Sequence, residues 1–433
     1  MDRRDAIKTV SVMGAAAALP KFSWATGDKA TLKVGLIGCS GRGTDAVRNI
    51  LDAAKGSVKI VAIADLFPDR LEYAMKRFAG FESKFGYCKG HFDIPASRQY
   101  AGWDAYKQLL ADADVDIVIH ATPPVFRPLH LRAIVEAGKH MFVEKPACVD
   151  PTQARELYEI ADLADKKGLT VIPGVQRRFH PGYVEAIKRI QDGQIGDIIA
   201  VQAYWLNSRF FIQDGGKLRL QNPDPMQMEY QIRNWFIFRW ASGDCYVEQH
   251  VHNLDVVRWA LGKDPVEVNG LGGRRWDIPF PQYGDRFSHF AVDFDFGNGL
   301  HCASYSRREQ KSKDYVLERF VGTKGILETN ENNMQRITGA KPWEAPKGLP
   351  HALVEEHRVL LDSVRNNKKI NMLRDMVGST LMAIAGRESC YSGTNFKYGW
   401  IKQKSKLSLA PKEWKFGVHD IDPIPLPGEY KLS

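Results

Sequence analysis

The stretch from Leu32 to Asp65 constrains the fold most. Leu32-Lys33-Val34-Gly35-Leu36-Ile37 is a short β-rich run that ends in Gly38-Cys39-Ser40-Gly41-Arg42-Gly43. Thr44 to Ala54 then has helical character, and Val58 to Ala64 is a second β run closing on Asp65. Strand, glycine loop, helix and strand in that order make a βαβ unit, whose parallel strands need helices on their faces. The loop is a GxGxxG pattern with Ser40 in place of the second glycine and Gly41 directly after it. Small residues there let backbone N–H groups and the helix N-terminus approach a pyrophosphate closely. Asp65 lies 27 residues after Gly38, where a carboxylate accepts both hydroxyls of a ribose and repels a 2′-phosphate. Gly38, Ser40, Gly41, Arg42, Gly43 and Asp65 are therefore expected to hold a dinucleotide, NAD in preference to NADP.

The alternation continues through helical stretches at Leu66 to Phe78, Trp103 to Asp112, Leu129 to Ala137 and Pro151 to Lys167. Between them stand β runs at Val115 to Ile119, His140 to Val143 and Thr170 to Ile172. The pattern predicts a doubly wound parallel sheet of six strands over residues 31–175, of which five are legible as runs. The fourth strand ends in Ala121-Thr122-Pro123-Pro124 and the fifth in Glu144-Lys145-Pro146, so topology puts both turns in the ligand cleft at the carboxyl ends of the strands.

Beyond Gln176 the texture changes. A helix is expected from His180 to Ile190, a strand from Ile198 to Trp205, and a polar, aromatic stretch over residues 206–240. Tyr246 to Leu261 is helical, and strands follow at Val266 to Leu271, Ser288 to Phe296, Leu300 to Ser306 and Tyr315 to Val321. Helices return at His351 to Asn366 and Asp375 to Ser392. Residues 176–397 are thus expected to form an α+β domain with one large, open, mainly antiparallel sheet, and 398–433 a tail packing on the surface.

A chain of 433 residues with 44% hydrophobic content can bury two cores. Its net charge of +9 is scattered along the sequence, so no nucleic-acid partner is expected. The six cysteines stand singly, without CxxC pairs, which argues against a disulfide framework and a structural zinc site. No apolar run is long enough to span a bilayer. At the start, Arg3-Arg4 precedes the weakly apolar run Val10 to Leu19, and Ser23-Trp24-Ala25 offers small residues before a cleavage point. Residues 1–25 resemble a twin-arginine export signal, which implies a bacterial source and a periplasmic or exported destination. Because that route carries folded proteins, it suits a cofactor that is loaded first and tightly held.

The set Gly38 to Gly43, Asp65, Ala121-Thr122-Pro123-Pro124 with His130, Glu144-Lys145-Pro146 and Glu248-Gln249-His250-Val251-His252-Asn253-Leu254-Asp255 resembles the glucose–fructose oxidoreductase and inositol dehydrogenase family, known as Gfo/Idh/MocA. The late block Glu355-Glu356-His357-Arg358 through Gly386-Arg387-Glu388 belongs to the same resemblance. It implies a Rossmann domain that binds a nicotinamide dinucleotide, with Ala121, Thr122, Pro123, His130, Glu144 and Lys145 added to the cofactor residues. A second domain walls a sugar site and pairs subunits into a homo-oligomer, a dimer or tetramer, through its sheet. On this resemblance Lys145 contacts the reacting substrate oxygen and His252 accepts the proton. Glu248 stands where the family usually has aspartate, so its reach is longer by about one methylene.

Chemistry agrees with those roles: hydride leaves carbon while a base takes the hydroxyl proton, and a nearby cation stabilises the developing alkoxide. Glu248 and His252 are four residues apart on one helix face. His250, together with Glu248, His252, Asp244 or Cys245, could ligate a metal only if the segment were extended, and in a helix it points away from His252, so no metal is expected. Gln176, Arg177 and Arg178 follow the last Rossmann strand, and Trp235, Arg239 and Trp240 precede the catalytic helix. These six are the candidate contacts to a sugar or glycoside. Two activities share this fold: hydride transfer between a sugar or glycoside hydroxyl and a retained NAD, and an NAD-dependent glycosidase working by transient C3 oxidation, elimination, hydration and re-reduction.

Overall fold

The computed structural model describes residues 31–111, 114–208, 223–330 and 334–433. The expected leader over residues 1–25 lies outside these. The first sheet contains β1 (Leu32–Ile37), β2 (Val58–Asp65), β3 (Gln99–Ala101), β4 (Ile117–His120), β5 (His140–Val143) and β6 (Val171–Pro173) in the order β3-β2-β1-β4-β5-β6, all parallel. Its covering helices are α1 (Gly41–Ala54), α2 (Pro68–Lys84), α3 (Ala105–Ala111), α4 (Arg127–Glu136) and α5 (Pro151–Lys167). Val34, Leu36, Ile60, Ile63, Val118 and Ile119 are fully buried, as strands covered on both faces must be. The strand without a legible run is β3. It is short and only partly buried, so it carries little hydrophobic signal.

A 3₁₀ turn at Gln176–Phe179 leads into α6 (Pro181–Gln191), β7 (Ile198–Asn207), α7 (Met228–Arg233) and α8 (Arg239–Ser242). The helix expected from Tyr246 is wider at its start: Tyr246–His250 is a π turn that passes into α9 (Val251–Leu261). The second sheet adds β8 (Glu267–Gly273), β9 (His289–Asp295), β10 (His301–Arg308), β11 (Tyr315–Gly322), β12 (Gly325–Thr329), β13 (Gln335–Gly339), β14 (Trp343–Glu344) and β15 (Phe396–Lys397). Its order is β14-β13-β12-β11-β7-β10-β9-β8-β15, and among the described pairs only β7 with β10 is parallel. Four of its strands, β12 to β15, were not legible as β runs. The fold class is therefore the expected one, a doubly wound parallel sheet joined to an α+β unit with a large open sheet.

The chain then returns to the first sheet. Helix α10 (Ala352–Arg365) packs against α1, and Ser363 Oγ meets Thr170 Oγ1 at 2.7 Å. Val171 N–H donates to Ile370 O at 2.8 Å and Val171 O accepts from Met372 N–H at 3.0 Å, so the segment before α11 (Leu373–Ser392) extends the sheet beyond β6. One continuous apolar core runs beneath both sheets. A second cluster gathers Phe67, Phe126, Met228, Ile232, Phe238 and Trp240, with Trp103, Trp235 and Trp414 against it.

A buried ionic cluster ties the turn after β6 to two helices of the second unit. Arg178, in the 3₁₀ turn, forks onto Asp255 of α9 with Nε–Oδ2 at 2.8 Å and Nη2–Oδ1 at 2.9 Å, and Ser379 Oγ donates to the same carboxylate at 2.7 Å. Removing one partner of such a buried pair leaves an uncompensated charge. Asp255→Asn is expected to lower unfolding free energy by about 3 kcal/mol, read from urea midpoints; a loss below about 0.5 kcal/mol, the scale of a neutral surface change, would show the pair to be dispensable.

Candidate active site

Strand order reverses between β1 and β4, and a cavity of about 660 Å³ opens outside the carboxyl ends of these strands. Its wall contains Gly38, Ser40, Gly41, Arg42, Asp65, Ala121, Thr122, Pro123 and His130. The structure thus brings most of the expected dinucleotide residues to one place. Gly43 lies beneath them: a Cβ there would sit 2.0 Å from Gly38 O. Gly38 has φ +99°, and a Cβ on it would meet the Ala121 carbonyl carbon at 2.7 Å. These two approaches let α1 begin directly at the strand end.

The loop fits a pyrophosphate. Ser40 caps α1 in extended geometry without a side-chain capping bond, and the first turn of the helix has no acidic residue, so its N–H groups face the cavity without a protein anion. Asp65 Oδ2 accepts from Cys39 N–H at 2.7 Å and Oδ1 from Phe67 N–H at 3.1 Å. Each oxygen keeps a lone pair for a ribose hydroxyl. Burial raises the Asp65 carboxyl above the usual range, opposed by those two N–H donors.

Thr122 Oγ1 and His130 Nδ1 each lie 3.0 Å from His120 Nε2. Burial pushes His130 down to about 3, with Arg127 adding to the effect, so the ring is neutral. It is enclosed by Tyr106 and Phe126, with centroids at 4.3 and 5.7 Å.

Arg42, in the cavity wall, has its guanidinium held by two carboxylates. Its Nε pairs with Glu144 Oε1 and its Nη2 with Glu356 Oε1 at 3.1 Å. Glu144 Oε2 accepts from the N–H of Lys145 at 3.2 Å. Neither Glu144 nor Lys145 lines the cavity wall given above. Lys145 points to the second unit, where its Nζ donates to Glu248 O and to Glu248 Oε1, the latter at 2.7 Å. Both side chains of this pair are nearly buried. The longer acidic side chain thus grips the lysine. Its other oxygen accepts from Gln249 Nε2.

His252, in the first turn of α9 and partly buried, stacks on Trp205 with centroids 5.6 Å apart. Burial, then Lys145, Arg177 and Arg42, hold it well below the ordinary imidazole range. His250 faces the sheet instead, its Nε2 2.7 Å from Ser304 Oγ. Among the described residues no group of three or more His, Cys, Asp or Glu is placed to hold a metal ion.

The expected sugar contacts divide. Trp235 lines the cavity. Gln176 is partly buried at the start of the 3₁₀ turn. Arg177 lies over Trp205 at 5.8 Å, on the ring that stacks with His252, but its Nη1 goes to the buried Glu318. The other three are corrections. Arg178 is fully engaged by Asp255, and Arg239 donates to Asp422 and lies 3.5 Å from Asp285. Trp240 Nε1 donates to Gln231 Oε1 at 2.6 Å inside the second apolar cluster. Asp255 and Asp422 lie far along the chain from their arginines, and Gln231 lies on the preceding helix, so a reading of each short motif does not reveal these pairings. Conversely, Phe67, Trp103, Phe126, Arg233 and Trp414 line the cavity without having been singled out. Phe67 and Phe126 follow strand ends and could have been found by topology; Trp414 has no local signal.

A Rossmann unit with this loop, coupled through a buried lysine to an open sheet, defines a dinucleotide-binding oxidoreductase. Residues 32–174 match the family described as "Oxidoreductase family, NAD-binding Rossmann fold" and residues 183–328 its "GFO/IDH/MocA C-terminal domain". The chain belongs to the GFO/IDH/MocA oxidoreductase family. It is 25% identical over 298 residues to an inositol 2-dehydrogenase of Rhizobium meliloti, covering 69% of this chain and 75% of that one. The fold also matches the aldose-aldose oxidoreductase of Caulobacter crescentus complexed with glycerol (TM-score 0.65, 18% identity, 85% of this chain and 99% of that one). A levoglucosan dehydrogenase in complex with NADH and levoglucosan matches equally (TM-score 0.66, 18% identity, 85% and 99%). Among the described residues no helix is long and apolar enough to cross a membrane.

Gly43→Ala forces a methyl against Gly38 O, so NAD affinity measured by titration calorimetry is expected to fall at least tenfold and stability by about 1–3 kcal/mol. Gly41→Ala, whose Cβ would meet nothing closer than 3.8 Å, should keep the fold; equal binding by wild type and Gly43→Ala would refute the loop's role.

Proposed function

We propose that this protein transfers hydride between a secondary hydroxyl of a sugar, cyclitol or glycoside and an NAD that stays bound between turnovers. The observation that carries this reading is the meeting of Lys145, at the end of β5, with Glu248 one turn before the neutral His252. The inositol and levoglucosan dehydrogenases among its relatives support the substrate class. NAD supplies the hydride acceptor when bound. Gly38, Ser40 and Gly41 hold the pyrophosphate at the start of α1, Asp65 the ribose, and Ala121 to Pro123 the nicotinamide side. As the C–H bond gives up hydride, the hydroxyl proton passes to the imidazole of His252 and the carbonyl forms. The Lys145 ammonium stabilises the oxygen on which negative charge grows. Glu248 holds that ammonium in place, and the Asp65 carboxylate favours NAD over NADP.

The Arg3-Arg4 leader supports export to the periplasm. A retained cofactor fits a compartment where free NAD is scarce, with the reduced form returned to the oxidised state by a second sugar. Assembly fits the outer face of the second sheet: Leu271, Ala291, Tyr305 and Tyr204 stand in one row across β8, β9, β10 and β7, and Tyr305 stacks on Tyr204 at 5.3 Å. A homo-oligomer through this face should dissociate in Tyr305→Arg by analytical ultracentrifugation; an unchanged mass would place the interface elsewhere.

Incubation with sugars, cyclitols and glycosides should yield a keto product with NADH formation, followed by mass spectrometry and absorbance. Lys145→Ala and His252→Ala should each lower turnover by about 10² or more. Because His252 is held below its ordinary range, it is neutral across pH 6.5, and the kcat/KM profile of oxidation should show no acid limb there. Release of free aglycone without net NADH would replace this reading by the glycosidase, and near-normal rates in either variant would remove that residue from the chemistry.

A further inference from the structure

The C-terminal tail supplies one residue, Trp414, to the wall of the dinucleotide cavity. After α12 (Tyr398–Gln403) the chain is tied to the first unit where Leu409 N–H donates to Asp150 Oδ2 at 2.8 Å and Leu407 O accepts from Thr152 Oγ1 at 2.8 Å. It is tied again to the second unit, where Gly417 O accepts from Met228 N–H at 2.9 Å and His419 N–H donates to Met226 O at 2.8 Å. Between these anchors lie Trp414 and Phe416. The Trp414 ring is 4.7 Å from Phe126 and 6.2 Å from Trp103, and Phe416 is 5.0 Å from Trp103 and 5.9 Å from Phe67. Trp414 forms part of the same wall as Gly38 and Asp65. Trp103 follows β3 and Phe67 follows β2, so this aromatic cover lies on the ribose-binding side of the glycine loop. The tail lies beyond both family-matched segments, which end at residues 174 and 328.

We infer that the segment from Leu409 to Gly417 is a strap over the dinucleotide site and that Trp414 is a cofactor-binding residue that slows the cofactor's departure. The inference rests on the NAD-binding reading above. With both ends of the segment anchored and its ring in the wall, Trp414 is held against Phe126 and Trp103, where a dinucleotide in the cavity would contact it. An aromatic face is also the surface on which a nucleobase stacks favourably. The strap thereby supplies from this chain's own tail the retention that a cofactor held between turnovers requires.

The full-length protein is loaded with NADH and mixed with excess NAD while the fluorescence of bound NADH is followed. Trp414→Ala is expected to release NADH about tenfold faster than wild type, the scale of one lost base–aromatic stack, whereas Trp414→Phe should stay within about threefold of wild type. Independently, trypsin should cut after the exposed Lys412 and Lys415 more slowly when wild type is saturated with NADH, a protection that Trp414→Ala loses. Wild type that binds NADH, with equal release rates in Trp414→Ala and equal cleavage with and without NADH, would overturn the strap while leaving dinucleotide binding intact. Should Trp414→Ala fail to fold, the protease protection of wild type decides alone. Wild type that binds no NADH at all would overturn the cofactor reading and the strap with it.

Discussion

The close approach of Gly43 to Gly38 sets the rest of the site in place. With only 2.0 Å between Gly38 O and a Cβ built on Gly43, no side chain fits, and α1 can start where β1 ends. That start puts Ser40, Gly41 and Arg42 in the cavity wall, with the Arg42 guanidinium paired to Glu144 and Glu356. From Arg42 an ionic chain runs through the protein: to Glu144 and Glu356 on one side, then through the backbone of Lys145 to its ammonium and on to Glu248. The glycine loop and Lys145 are therefore parts of one connected arrangement.

Burial makes this chain selective in what it tolerates. Removing charges from water is costly, so each buried charge needs a partner close by. Arg42 sits between two carboxylates, and burial pushes the second of them, Glu356, well above the usual carboxylate range. His252 faces the opposite situation: burial and three surrounding cations keep it uncharged, the state in which an imidazole accepts a proton. Such networks position groups more than they stabilise the fold. The helix that carries Glu356 comes from the far end of the chain and packs on α1, so the catalytic geometry depends on contacts between the first and last thirds of the sequence.

Much of this was legible beforehand where the signal is local. The buried β runs around Val34, Val118 and Phe142, the glycine loop, Asp65 and the Glu144-Lys145-Pro146 turn each announce themselves within a few residues. The strands β3 and β12 to β15 did not, being at most five residues long and mixed in polarity, so that alternation is weak. The π turn at Tyr246–His250 was read as ordinary helix, because the two differ in winding and not in apolar pattern. Arg178, Arg239 and Trp240 have the residue types of sugar contacts, yet Asp255, Asp422 and Gln231 take their polar groups. Only spatial proximity distinguishes an arginine that meets substrate from one that meets a carboxylate 77 residues on.

By itself the sequence determined the doubly wound sheet, the second sheet, the dinucleotide loop and the candidate chemical residues Lys145 and His252, since each rests on periodicity or on a motif confined to one turn or helix. Tertiary structure decided which polar side chains remain at the cavity, that Glu248 grips Lys145, and that Trp414 closes the wall. Those outcomes depend on which distant groups are buried together, and the energy of a buried charge or ring is set by its neighbours in space, which local sequence does not encode.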